Sequence, residues 1–79
     1  MAVNIQSENC TGGSGTFGAP DTTIQSAHMQ RQGGGSVACN VQINGTSWTA
    51  TCNPLPTGTY RLCATGDVSP EVCDAWFNC

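Results

Sequence analysis

Six cysteines are the most reactive side chains of this 79-residue chain, and their positions, Cys10, Cys39, Cys52, Cys63, Cys73 and Cys79, decide what chemistry they can do. None belongs to a Cys-x-x-Cys pair, so the spacing carries neither the knuckle of structural zinc nor the redox pair of thioredoxin-like proteins. An even number of cysteines in so short a chain reads instead as a disulfide framework. Each crosslink contributes about 2 to 4 kcal/mol, chiefly by restricting the unfolded chain. Disulfides persist in oxidising surroundings, which predicts a protein that is secreted or displayed at a cell surface.

The other candidate reactive groups do not assemble into a mechanism. His28 is the single imidazole, and no Gly-x-Ser-x-Gly turn accompanies it to make a hydrolytic triad with Asp21 and a serine. The carboxylates Glu8, Asp21, Asp67, Glu71 and Asp74 lie in separate loops or on one short segment, without the facing pair of a glycoside hydrolase or the alternating oxygen ligands of a calcium loop. "GSGTFG" has neither the lysine nor the following helix of a phosphate loop. The expectation is therefore no catalytic residue, no cofactor and no metal site. Asn9-Cys10-Thr11 and Asn44-Gly45-Thr46 fit the N-glycosylation pattern, which has meaning only for a eukaryotic source.

Charge narrows the partners. Arg31 and Arg61 are the whole basic inventory against five acidic groups, so no stripe can be built to displace counterions from nucleic acid. No stretch approaches the length of a membrane span, and "MAVNIQSENC" has neither the basic start nor the apolar run of a signal peptide. Met1 thus reads as an initiator ahead of a mature domain. Two stretches offer binding surface. The turn Asn53, Pro54, Leu55 and Pro56 lies between two cysteines and is stiffened by two prolines, so it loses little further entropy on binding. Trp76 and Phe77 beside the last cysteine form an aromatic anchor for a protein or a sugar ring, or else part of the core.

The elements that must position these residues are short. A chain of this length forms one domain, residues 1–79, and buries only about 60% of its unfolded surface. "AVNIQS" alternates as a half-buried strand leading to Cys10, whereas "CTGGSGTFGAP" reads as a glycine-rich loop pinned to the core by Phe17. "DTTIQSAHMQRQ" admits helix or strand and favours strand through Thr22, Thr23 and Ile24, and residues 33–36 form a flexible glycine-rich break. Val37, Cys39, Val41 and Ile43 then share one strand face, Asn44-Gly45 turns the chain, and Trp48, Ala50 and Cys52 share the returning face. A four-residue connection sets Cys39 opposite Cys52; a two-residue turn leaves them one diagonal step apart on the same face. That pairing is the one the register favours, each cysteine pairing elsewhere being the alternative. In "TYRLCAT", Cys63 points away from the face of Leu62 and so needs a partner outside the sheet core, for which Cys73 and Cys79 are available. Ser69-Pro70-Glu71 has the pattern of a helix start, which predicts a short C-terminal helical turn with Val72, Cys73, Trp76 and Phe77 on one side.

The stretch "VQINGTSWTATCNPLPTGTYRLCATGD", residues 41–67, resembles the bacterial immunoglobulin-like repeats of surface adhesins, with their Asn-Gly turn, Trp-Thr strand and Leu-Pro-x-Gly-Thr-Tyr corner. The resemblance implies that the Tyr60 hydroxyl anchors its corner to backbone, and that the role is adhesion, spacing or display without catalysis. The expected fold is a small disulfide-rich mostly-β domain: a reduced antiparallel β-sandwich or sheet with a short C-terminal helical turn. The expected function is a non-catalytic structural or interaction module of a secreted or surface-exposed protein, its partner another protein, the rest of a larger chain, or a glycan. The alternatives are a small secreted inhibitor or effector acting through its proline-rich loop, and a carbohydrate-binding module.

Overall fold

In the computed structural model, which describes residues 2–79, alternation and the Asn-Gly turn produce the hairpin they encode, β4 (Ser36–Asn44) and β5 (Ser47–Cys52). Ile43 faces Trp48, Val41 faces Ala50 and Cys39 faces Cys52, and Gly45 takes the left-handed turn with φ of 64°. Cys39 and Cys52 are bonded, as the four-residue connection predicts. Met1, read above as an initiator, lies outside the described residues.

The ambiguous stretch before it is strand β3 (Ile24–Arg31), joined to β4 by the turn at Gly33–Gly35, with Ser36 already in β4. After β5, strand β6 (Thr59–Gly66) returns to pair with β3 rather than with its predecessor, closing a Greek key over four antiparallel strands.

The glycine-rich "CTGGSGTFGAP" differs from expectation, because Gly12–Phe17 forms strand β2 between β1 (Val3–Asn9) and β5. Its glycines are there for space. A Cβ on Gly15 would lie 1.9 Å from the Asn4 carbonyl and 2.8 Å from the Trp48 ring, and one on Gly13 would lie 2.5 Å from Leu62. The missing side chains let two backbones approach and make room for Trp48 and Leu62, an advantage that outweighs the low strand propensity of glycine.

The full order is β1-β2-β5-β4-β3-β6-β7, with β7 (Val72–Cys73) and β8 (Phe77–Asn78) both pairing along β6. Since β1 also packs against β6 and β7, the sheet is nearly closed on itself. Its interior is filled by Trp48, Tyr60, Met29, Leu62 and Val3, each at most 1% exposed. The two interior aromatics with polar tips both find backbone acceptors: Trp48 Nε1 donates to Thr16 O at 3.2 Å, and the Tyr60 hydroxyl donates to Pro56 O at 2.9 Å.

The expected C-terminal helical turn is not there, nor do Val72, Cys73, Trp76 and Phe77 line one helical side; residues 70–79 run extended or irregular. Two interactions outweigh the helix signal. The amides of Val68 and Ser69 donate to Asp21 Oδ1 at 2.9 and 2.8 Å. Beyond them the backbone joins β6, with Val72 and Cys73 opposite Ala64 and Cys63, and Phe77 and Asn78 opposite Tyr60 and Thr59. A helix this short is marginal by itself, whereas ladder bonds to a strand already in place have no nucleation barrier.

Candidate functional site

Strand alternation on β6 sends Tyr60, Leu62 and Ala64 inward and Arg61, Cys63 and Thr65 outward. The outward three sit opposite Gln30, His28 and Ser26 of β3. On the other side Cys63 faces Cys73 of β7 and is bonded to it, which settles the partner that its outward direction required. Although it points outward, Cys63 is 0% exposed. The cover comes from its neighbours: His28 Nε2 lies 3.3 Å from Glu71 Oε1, and a ligand atom from each of His28, Cys63 and Glu71 falls within 4.8 Å of the others.

One step along the same face, the Arg61 guanidinium lies 4.6 Å from the centre of the Trp76 ring, a cation–π stack, while its Nε donates to Gln30 Oε1. Trp76 remains 41% exposed. Phe77 turns the other way and packs against the core beside Tyr60. The aromatic pair expected to act together is therefore split into an outward anchor and an inward peg.

In the proline turn, Asn53, Pro54 and Pro56 are exposed and Leu55 is half-buried against the core. Its far end is tied to the C-terminus, because Gly58 and Cys79 exchange backbone hydrogen bonds of 3.2 and 2.8 Å. Thr59 opposite Asn78 extends that ladder, so the two binding stretches read from the sequence meet at one end of the molecule. The third crosslink, Cys10–Cys79, pins this end to the tip of β1. All six cysteines are thus paired, a pattern that fits an oxidising environment.

The acidic residues serve the frame. Asp21 is buried, and the hydroxyl and amide of Ser69 hold its carboxyl below the usual carboxylate range. Asp67 is held low likewise by the hydroxyl and amide of Thr22, so each acidic loop caps the other. Glu8 behaves differently. A bulge between Ile5 and Ser7 reverses the alternation of β1, and Glu8 lands opposite Gly13 on the inward side. Burial, then a hydrogen bond and repulsion from Asp74, push its pKa up to about 7. Plain alternation from Val3 and Ile5 would have sent Glu8 outward, and nothing local in "NIQSEN" marks the bulge. Ser7, Asn9, Ser14, Thr49 and Thr51 of β1, β2 and β5 line a shallow polar depression of about 330 Å³.

Comparisons with protein-family models, with characterised proteins and with solved structures find no match to this chain.

Proposed function

We propose that this chain is a non-catalytic interaction module of a secreted or surface-exposed protein, docking through the end of the sheet that carries Trp76 and the Asn53–Pro56 turn. The observation that carries this reading is Trp76 itself. It is a large aromatic, 41% exposed, stacked under Arg61 and placed between Cys73, crosslinked to β6, and Cys79, crosslinked to the turn after β1. The stack on Arg61 restrains this side chain before any partner arrives, and exposed tryptophan is among the commonest anchors of protein interfaces. The proline turn, linked to the same C-terminal segment through the Gly58–Cys79 hydrogen bonds, adds exposed surface stiffened by two prolines. Adhesion, spacing or display, in the manner of the adhesin repeats that residues 41–67 resemble, is the use such a module suits.

Trp76→Ala tests the reading. The melting temperature should shift by less than about 3 °C, because the ring lies outside the core. Beads coated with the protein should retain a saturable partner from the fluid around the source cells, and the variant should lose at least tenfold in that affinity. Equal retention by both proteins would remove the docking role and leave a spacer. A shift of tryptophan emission on titration with oligosaccharides, absent in the variant, would favour the carbohydrate-binding alternative.

A further inference from the structure

We propose that His28, Glu71 and the Cys63–Cys73 pair form a redox-gated zinc site, silent while the disulfide is closed and complete when it is open. Strand pairing places His28, Cys63 and Cys73 side by side on three adjacent strands, β3, β6 and β7. Glu71, two residues before Cys73, carries its carboxylate across to within 3.3 Å of His28 Nε2. The 4.8 Å limit on the separations among His28, Cys63 and Glu71 ligand atoms is close to what a metal needs. A tetrahedral zinc with bonds of about 2.0 Å to nitrogen or oxygen and about 2.3 Å to sulfur holds its ligands roughly 3.3 to 3.8 Å apart. The fourth ligand, the Cys73 sulfur, is one bond from Cys63.

In the closed form both sulfurs are spent on each other, and an imidazole with one carboxylate makes only half a shell. A dithiol reductant changes this in two balanced steps. One of its thiolates attacks the sulfur of Cys73, the half-buried partner, forming a mixed disulfide and releasing Cys63 as thiolate; its second sulfur then closes on the first and releases Cys73. Two electrons pass to the cysteines, and the reductant leaves as a cyclic disulfide. Zinc then binds two thiolates, one neutral imidazole and one carboxylate, displacing the two thiol protons. Soft sulfur with borderline nitrogen selects zinc over calcium or magnesium. His28 is the single histidine of the chain, so neither other disulfide has an imidazole beside it. Spacing rules for zinc overlook this set because Cys63 and Cys73 stand ten positions apart and only the β6–β7 pairing joins them.

The test uses the whole chain with cobalt(II) as a spectroscopic stand-in, titrated before and after treatment with dithiothreitol, and mass mapping to show which disulfide is open. The expected result is one cobalt per chain, with thiolate charge-transfer and tetrahedral visible bands that appear only once Cys63–Cys73 is open and that zinc abolishes. His28→Ala and Glu71→Ala should each weaken binding at least tenfold, whereas the double variant Cys39→Ser, Cys52→Ser should leave it unchanged. Zinc should also raise the melting temperature of the reduced chain and not of the oxidised one. The proposal is overturned if the opened chain shows no thiolate band, if the bands survive the His28 and Glu71 substitutions, or if the reduced chain unfolds even with zinc present.

Discussion

The β4–β5 hairpin and the segment from Asp67 to Cys79 are both crosslinked, yet the crosslinks do different jobs. In the hairpin, alternation, the Asn-Gly turn and six facing residue pairs already set the register, and Cys39–Cys52 closes a separation of only 13 residues between strands that are neighbours anyway. The C-terminal segment has two strands of two residues each, and none of its side chains is fully buried, although Val72 and Phe77 touch the core. It is held by Cys63–Cys73 and by Cys10–Cys79, which spans 69 residues and ties the last residue to the end of β1. Where sequence supplies local order a disulfide reinforces it; where it does not, disulfides stand in for a core.

The sharpest way to break that contrast is to remove one crosslink from each region. Loss of Cys10–Cys79 through paired serine substitutions should cost about 4 kcal/mol by the loop-entropy relation, and thermal melts should drop by roughly 15 °C or more. Hydrogen exchange should show residues 70–79 opening first. Loss of Cys39–Cys52 should cost at most about 3 kcal/mol and leave the Val41–Ala50 and Ile43–Trp48 contacts intact in nuclear Overhauser spectra. An equal loss of order in both would mean that the hairpin also depends on its sulfur bond.

A smaller effect concerns Glu8 of β1, which faces Asp74 of the C-terminal segment. The folded pKa of Glu8, about 7, lies above its ordinary 4.5, so the folded state holds the proton more tightly than the unfolded one. The resulting stability is fully present below pH 4.5 and is lost as pH rises to about 7 and beyond. Because Glu8 is only partly shielded, the change should be on the order of 1 kcal/mol after screening. Glu8→Gln should flatten that part of a pH series of urea melts. The most local effect, of similar size, belongs to the hairpin turn: Gly45→Ala, at φ of 64°, should cost about 1 kcal/mol and leave the register unchanged. A two-dimensional amide spectrum that changes only around Asn44–Ser47 would show it.

Residues whose partners lie close in sequence were legible. Val37 to Ile43 and Trp48 to Cys52 declare a hairpin, and the outward direction of Cys63 follows from counting along "TYRLCAT". Strand β2 was not legible, because its glycines answer to Trp48, Leu62 and Asn4 in other strands. Ser69-Pro70-Glu71 carries a valid helix start, but Asp21, 48 residues before Ser69, takes the Val68 and Ser69 amides and fixes the course of the chain ahead of that start. The outward stack of Trp76 on Arg61 likewise depends on where the chain passes β6 rather than on any pattern near position 76.

Composition and spacing alone determined that sulfur must supplement a thin interior, that the middle of the chain is β, and that Cys39 and Cys52 lie on one face. Those properties depend on residue type and on a period of two, which every short window contains. Only the tertiary structure decided that the sheet nearly closes, that Glu8 points inward, and that His28 and Glu71 cover the Cys63–Cys73 bond. These depend on contacts between distant segments, where a bulge or a missing Cβ in one strand sets what another strand can do.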